Sequence, residues 1–319
     1  VQAERQLQLE RQTPDAVVDV GDWKADEKYP IFPVGSKPKR ALMCPDDEIR
    51  PFLRPGHRYL FKAAGGWQAQ QLWSEVIAYE LSRALGLEVP PALVALDSKT
   101  GTPGVLVEFF YGYRGVKETS RLVHAADFMQ DHFVAGKKGR PHGLRENLAL
   151  CRALKVPDRD RWWCQALLFD TLIGNTDRHS ENWGFLFTWR DGGTLARLAP
   201  LYDNGTSLGY NIPDEKLTPA WDEAKMAKFI LRGTHDCGWS RDEDGPTGHI
   251  NLTARFLAAQ PSVVPEAERL LRLNEGDVEA VTTWCEQFAF PLAFSPARSH
   301  FVIQQIMARR SALVEVIGR

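Results

Sequence analysis

The residues best suited to chemistry fall in one polar decapeptide, Ile173-Gly174-Asn175-Thr176-Asp177-Arg178-His179-Ser180-Glu181-Asn182, between an apolar helical pattern and an apolar strand pattern. Asp177 and Asn182 are five positions apart with His179 between them, and Asp203 follows two further strand-like segments. Phosphoryl transfer asks for such a set. One carboxylate accepts the proton of the attacking hydroxyl, while an amide oxygen and a second carboxylate hold Mg²⁺ against the phosphates. Mg²⁺ takes oxygen ligands and needs few of them from protein, so Asn182 and Asp203 would suffice. The same decapeptide also reads as a helix-capping loop in which Asp177 and Asn182 satisfy backbone amides.

Two further segments bear on that chemistry. Lys62 lies inside the apolar stretch Tyr59–Ala63, and Glu75 follows in the first turns of a predicted helix. A lysine inside a strand is costly to bury unless it meets an anion. A strand lysine paired to a helix glutamate is also the device by which protein kinases hold the α- and β-phosphates. An exposed strand face would accommodate Lys62 as well. Gly35-Ser36-Lys37-Pro38-Lys39 contains neither a Walker A motif nor G-x-G-x-x-G. Its glycine, hydroxyl and two lysines can still offer amide donors and charge to a phosphate, although alone it reads first as a solvated basic turn. What links these parts is their order, which is the order kinases require: loop, strand lysine, helix glutamate, strands, helices, polar loop, late aspartate.

The elements that must position these groups follow from hydrophobic period. Short apolar runs predict strands at Ala16–Val20, Ala41–Cys44, Tyr59–Ala63, Ala92–Leu96 and Val105–Phe110. Apolar spacing of three to four predicts a helix over Gln68–Leu85, stopped by Gly86 and Pro90-Pro91. After Gly115 the texture turns helical, at His124–His132, Leu144–Leu154 and Asp160–Gly174. Two strands are predicted at Trp183–Thr188 and Thr194–Leu198, then about four helices beyond Asp222, ending with Pro296–Ile317. Such segregation predicts an α+β, two-lobed chain rather than a doubly wound sheet, with a strand-rich lobe over residues 1–113 and a helical lobe over 114–319.

Composition narrows the class. The 319 residues are 44% hydrophobic and 25% charged, and 39 Lys+Arg against 41 Asp+Glu give a formal charge of -2, so no global field points to nucleic acid or membrane. The five cysteines are scattered and form no C-x-x-C pair, which argues against a disulfide framework. Val1–Arg11 is polar, unlike a signal peptide, and the apolar runs fall short of the ~20 residues of a membrane span. The expectation is a cytoplasmic protein, with export as an effector by a signal-peptide-independent route left open.

Gly174-Asn175-Thr176-Asp177-x-His179-x-x-Asn182, followed by Ala199-Pro200-Leu201-Tyr202-Asp203-Asn204-Gly205, resembles the HipA-like serine/threonine kinase family of bacteria. Gly35–Lys39 resembles that family's short phosphate loop, and Tyr59–Lys62 with Trp73-Ser74-Glu75 through Gly86-Leu87-x-Val89-Pro90 resembles its strand lysine and following helix. The catalytic string is also similar to that of phosphatidylinositol 3- and 4-kinases. The resemblance implies a protein-kinase-like fold, ATP and Mg²⁺ as cofactors, and transfer to Ser/Thr of a protein substrate. It implies Asp177 as the base, Asn182 and Asp203 as metal ligands, and His179 near the γ-phosphate. It assigns Lys62, Glu75, Gly35, Ser36 and Lys39 to the phosphates, and backbone groups around Glu108, Phe109 and Phe110 to adenine. The family's phosphorylatable serine ahead of the loop glycine is missing from Ile31-Phe32-Pro33-Val34, which leaves Ser36 as the nearest substitute. About thirty residues precede the loop, as expected of a short form.

Other features compete less well. Lys137, Lys138, Arg140, His142 and Arg145 could meet tRNA or an acidic protein face, but read first as a solvated loop. His235, Asp236, Cys237 and His249 fit no standard zinc spacing. Trp162, Trp163, Trp183 and Trp189 are expected to build core. An antitoxin-like protein partner is compatible with the resemblance; direct DNA binding and a membrane span are not expected. The alternatives are a lipid or small-molecule kinase and a catalytically silent nucleotide-binding module.

Overall fold

The computed structural model describes residues 9–27, 39–116, 118–133, 142–217, 221–243 and 247–318. The first part is a curled six-stranded sheet in the order β1-β5-β6-β4-β3-β2, built from β1 (Val18–Asp19), β2 (Lys24–Ala25), β3 (Lys39–Met43), β4 (Arg58–Ala63), β5 (Ala92–Asp97) and β6 (Thr102–Glu108). Among the described residues only the β1–β5 pairing in this sheet is parallel. Between β4 and β5 runs α1 (Gln71–Leu85). It begins three residues later than the periodicity suggests, because Gly66–Gln68 forms a separate 3₁₀ turn. It ends at Gly86, whose φ of 63° places it in the left-handed region that favours glycine.

Strand alternation decides what Lys62 faces. Tyr59 and Phe61 point into one apolar cluster with Val18, Leu42, Leu93 and Leu106. Leu60 and Lys62, being even, turn to the opposite face, the one α1 covers. Ala92, Val94 and Val105 on that face pack with Val76, Ile77 and Leu81 of α1. Fully burying a side chain such as Phe61 contributes about 1.5–3 kcal/mol, enough to make a one-residue slip of β4 prohibitive.

The second part holds a three-stranded antiparallel sheet, β7 (Thr119–His124), β8 (Gly184–Arg190) and β9 (Gly193–Leu198), in that order. β7 is a departure from the sequence expectation, which placed only helices after Gly115 until Trp183. Its apolar signal is weak, and pairing with β8 over Thr119–His124 makes it a strand. The helix expected at His124–His132 is correspondingly shortened to α2 (Ala125–Met129), followed by a 3₁₀ turn. α3 (Leu144–Ala153) and α4 (Arg159–Ile173) follow as expected. Beyond Asp222 the described residues hold five α-helices where about four were anticipated: α5 (Glu223–Arg232), α6 (His249–Ala259) after the short β10 (Thr234–His235) and β11 (Thr247–Gly248) pair, α7 (Val264–Leu270), α8 (Glu275–Glu286) and α9 (Pro296–Ile317). The expected segregation of strands and helices is otherwise observed, an α+β architecture.

One apolar core runs through both parts. Trp73 of α1 donates its Nε1–H to the Leu292 carbonyl at 2.9 Å and meets the rings of Phe288, Phe290 and Phe294. The Asp203–Ser207 segment is thereby pressed onto α1: Ser74 Oγ donates to the Ser207 carbonyl at 2.8 Å. A Cβ on Gly205 would lie 3.3 Å from the Gln71 Cβ and 3.5 Å from the Glu75 Cγ. Trp163 and Trp183 are fully buried as expected, whereas Trp189, at the end of β8, is 46% exposed. Among the described residues no helix is long and apolar enough to cross a membrane.

Candidate active site

The decapeptide between α4 and β8 is held from behind. α4 stops at Gly174 (φ 66°), where a Cβ would approach the Arg309 guanidinium to 2.9 Å; both the backbone angle and the space demand glycine. One turn earlier, Asp170 is fully buried and binds Arg178 through two bonds, Nε to Oδ2 at 3.0 Å and Nη2 to Oδ1 at 2.8 Å. It also meets His235 Nε2 at 3.0 Å and accepts from Asn175 Nδ2 at 2.9 Å. Burial alone would raise the Asp170 carboxyl, but Arg178 and His235 outweigh it and hold it well below the usual range. Arg178, equally buried, spends its remaining donors on the Asn182 and Tyr202 carbonyls and on Asn204 Oδ1. One guanidinium thus ties α4, the decapeptide and the Tyr202–Asn204 segment together.

The loop residues expected to carry the chemistry sit on this support. The Asp177 amide donates to Asn175 Oδ1 at 3.1 Å, and Asn182 Nδ2 donates to the Asp177 carbonyl at 2.7 Å. That bond commits the Asn182 nitrogen and leaves its carbonyl oxygen as the group to offer a cation. The Asp177 side chain is 46% exposed, with Thr206 Oγ1 donating to Oδ2 at 3.4 Å and His179 Nε2 at 3.8 Å from Oδ1. His179 Nδ1 accepts from the Glu181 amide at 3.2 Å, so a neutral ring carries its proton on Nε2, toward Asp177. Partial removal from water and the neighbouring charges of Asp203 and Asp236 push the Asp177 carboxyl upward, against the pull of His179.

Lys62, Glu75 and Asp203 meet across the two parts. Lys62 Nζ lies 2.5 Å from Glu75 Oε1 and 2.8 Å from Asp203 Oδ1, and Lys39 Nζ lies 3.8 Å from Asp203 Oδ2. The Asn204 amide completes the set by donating to Glu75 Oε2 at 3.1 Å. Asp203 has a φ of 58°, a left-handed conformation that a non-glycine residue holds at a cost and that recurs at functional sites. Burial works against both charges, but Asp203 and Glu75 keep Lys62 above its ordinary value, and Lys62 with Lys39 keep Asp203 well below its own.

The residues expected at the adenine are more committed than their positions suggest. Glu108 is buried, and its carboxylate accepts from Arg54, Tyr59 and Tyr113. Its amide donates to the Pro91 carbonyl at 2.8 Å and the Phe109 amide to the Arg58 carbonyl at 3.1 Å, so neither amide is spare. Phe110 stacks on Tyr202, ring centroids 5.6 Å apart at 21°. Gly35, Ser36, Lys37 and Pro38 lie outside the described residues; Lys39 opens β3.

Several structural roles escaped the sequence reading. Asp170 interrupts the apolar run Leu167-Leu168-Phe169-Asp170-Thr171-Leu172-Ile173, and a carboxylate there needs a buried partner, which was the available signal. Arg178, Asn204 and Thr206 carried no such mark. His235 and His249 bond the loop and its support: His235 Nε2 lies 3.0 Å from Asp170 Oδ2 and His249 Nε2 lies 2.7 Å from the Asn175 carbonyl. Among the described residues no cluster of three or more His, Cys, Asp or Glu side chains could hold a metal. His142, grouped by sequence with a basic loop, is turned inward, accepting from Trp183 Nε1 at 3.0 Å; Lys137, Lys138 and Arg140 lie outside the described residues.

Comparison with known proteins bears on the fold and the family. The fold is similar to that of the proinflammatory kinase CtkA of Helicobacter pylori, with a TM-score of 0.71 and 17% identity over 95% of this chain and 96% of that one. A HipA protein of Shewanella oneidensis, solved with HipB and operator DNA, aligns at a TM-score of 0.49 and 15% identity over 92% of this chain and 66% of that one. A Sinorhizobium fredii protein named "Putative kinase Y4dM" is 27% identical over 143 residues, 43% of this chain and 34% of that protein, so the match spans about a third of that relative's length. The model of the HipA-like C-terminal domain matches residues 34–255, a span that contains Lys62, Glu75, Asp177, Asn182 and Asp203, and the chain belongs to that family.

Proposed function

We propose that the protein is an ATP- and Mg²⁺-dependent kinase that transfers the γ-phosphoryl group to serine or threonine of a protein substrate. The observation that carries this reading is the meeting of Lys62 with both Glu75 and Asp203, while Asp177 and Asn182 share one short loop braced to the same segment. Two lysines, Lys39 and Lys62, converge on one carboxylate, and an anion larger than Asp203 would find both ammonium groups in place. Asn182 and Asp203 are oxygen donors, as Mg²⁺ prefers, and would hold it with few protein ligands. Bound there, the metal would neutralise charge on the phosphates.

The protein's own part is positional. Lys62 and Lys39 would bind the phosphates, with Glu75 fixing the Lys62 ammonium. Asp177, its carboxyl shifted up toward neutrality, would take the proton from the acceptor hydroxyl at its carboxylate, and a base nearer the working pH does this more efficiently. His179, with an N–H directed at Asp177, would orient that carboxylate or meet the transferred oxygens. Adenine would lie near the Phe110–Tyr202 stack, with backbone donors drawn from Phe110 onward, since the two preceding amides are paired. An antitoxin-like partner and a cytoplasmic location belong to the same reading.

Labelled ATP tests it. The wild type should label Ser/Thr in a bacterial lysate protein, and Asp177→Ala should not. Label in extracted lipid would move the assignment to a lipid kinase; bound ATP with no labelled product would leave a silent nucleotide-binding module.

A further inference from the structure

Between the elements that carry Lys62 and Glu75 stands an aromatic pair that none of these roles uses. Trp67 belongs to the 3₁₀ turn Gly66–Gln68, between β4, which carries Lys62, and α1, which carries Glu75. A Cβ on Gly65 or Gly66 would meet nothing within 4 Å, so the turn projects into solvent. Trp67 is 70% exposed, yet its ring lies 6.0 Å from that of Tyr210, the planes at 32°. Keeping an indole this exposed beside a second aromatic is the composition of a binding hot spot rather than of a core.

The pair is connected to the base. The Tyr210 hydroxyl bonds Gln71, Gln71 Nε2 donates to Thr206 Oγ1 at 3.5 Å, and Thr206 Oγ1 donates to Asp177 Oδ2 at 3.4 Å. The close approach of Gly205 to Gln71 fixes the distance between the two segments that carry these groups. Tyr210 is therefore linked through Gln71 and Thr206 to Asp177, the group that on this reading faces the acceptor hydroxyl, and the two rings present π surface rather than charge. Tyr210 feels that proximity: partial burial and the Asp177 charge both raise its phenol.

We infer that Trp67 and Tyr210 form the acceptor-side ledge of the site, which selects protein segments carrying an aromatic or large aliphatic side chain within a few residues of the phosphorylated Ser/Thr. The inference rests on the protein-directed reading above. A flexible acceptor segment gains little from main-chain contacts alone, and a rigid pair of rings supplies contact area at low entropic cost. Trp67 acts on the choice of acceptor and leaves the phosphate-holding groups untouched.

The test uses the full chain, labelled ATP and a positional-scanning peptide library around a central Ser/Thr. The wild type should favour aromatic or large aliphatic residues at one nearby position. Trp67→Ala, a change at an exposed side chain, should level that preference and raise KM for the preferred peptide roughly tenfold, with kcat and the Mg-ATP thermal shift unchanged. Trp67→Phe should restore most of the preference. An unchanged selection profile in Trp67→Ala, a wild-type preference for Lys or Arg at every nearby position, or loss of the Mg-ATP shift in Trp67→Ala would each overturn the ledge. If the wild type binds ATP but labels neither peptide nor protein, the protein-directed reading itself fails, and the ledge falls with it before any variant is compared.

Discussion

Lys39 and Lys62 stand directly opposite each other across the β3–β4 ladder, and both ammonium groups reach the carboxylate of Asp203. Like charges facing across a strand pair are destabilising on their own. Here the cost is offset by a carboxylate that arrives from a segment more than a hundred residues away in the chain. The arrangement suits a site in which the anion is exchanged, Asp203 for phosphate, with little movement of the lysines.

Mg-ATP should therefore raise the melting temperature of the wild type. At a ligand concentration of 100 Kd the stabilisation is about 2.7 kcal/mol. Lys62→Ala should abolish most of this shift. It should also lower the melting temperature of the free protein, because Glu75, with a side chain only 5% exposed, loses its cationic partner. Differential scanning fluorimetry of both proteins with and without nucleotide decides the matter; equal shifts would remove Lys62 from the site.

Asp203 and Asp177 should separate metal from base. Asp203→Ala is expected to weaken Mg²⁺-dependent nucleotide binding. Asp177→Asn should leave nucleotide affinity nearly intact while the turnover rate falls ~10²–10⁴-fold. Titration calorimetry and single-turnover labelling together would show it, and a common loss of affinity would refute the division. Because the Asp177 carboxyl is shifted up, wild-type kcat/KM should rise with pH through a value above the usual aspartate range. On the proposed role of Asp177, the loss on the acid side would come from protonating its carboxylate.

The Asp170–Arg178 pair should be the loop's principal brace. Both side chains are fully buried, and Asp170→Ala would leave the guanidinium without its carboxylate, a change of about 3–5 kcal/mol. Urea unfolding should register that loss. A milder variant, Asp170→Asn, should retain more stability yet lower kcat, since Arg178 would hold the Asn182 and Tyr202 carbonyls less firmly.

His249 gives the protein an acid-sensitive joint. Burial and the nearby Arg309 cation lower its pKa from 6.5 to about 3, so the folded ring stays neutral where the unfolded one takes a proton. Below pH 6.5 the unfolded state binds more protons, and stability must fall as pH falls, until the folded ring titrates near 3. The contribution at pH 4 is on the order of 3 kcal/mol. His249→Gln, which keeps an amide donor for the Asn175 carbonyl, should flatten the pH dependence of the urea midpoint between pH 6.5 and 4.

The polar loop proposed to carry the chemistry was legible because its residue pattern is local. Asp177, His179 and Asn182 sit on six consecutive residues, and the loop that carries them is bounded by a helix and a strand with clear apolar periods. Lys62 was legible for a similar reason, as a charge inside a period-two apolar run. β7 was not, since Thr119–His124 has little apolar content and becomes a strand only by pairing with β8. The sequence points to backbone groups around Glu108 for the adenine, but the Glu108 amide is paired with the Pro91 carbonyl and its carboxylate with Arg54, Tyr59 and Tyr113, partners without a local signature.

The sequence by itself determined the identity of the chemical groups and their order, because side-chain type and near-neighbour spacing are properties of the chain. Only the tertiary structure decided which of them meet. Lys62 bonds Asp203 across 141 residues, and Asp170 meets His235 across 65; such pairings have no local signature. They arise because burying the apolar faces of α1, α4 and the six-stranded sheet in one core leaves a single arrangement in which the buried charges also find their partners.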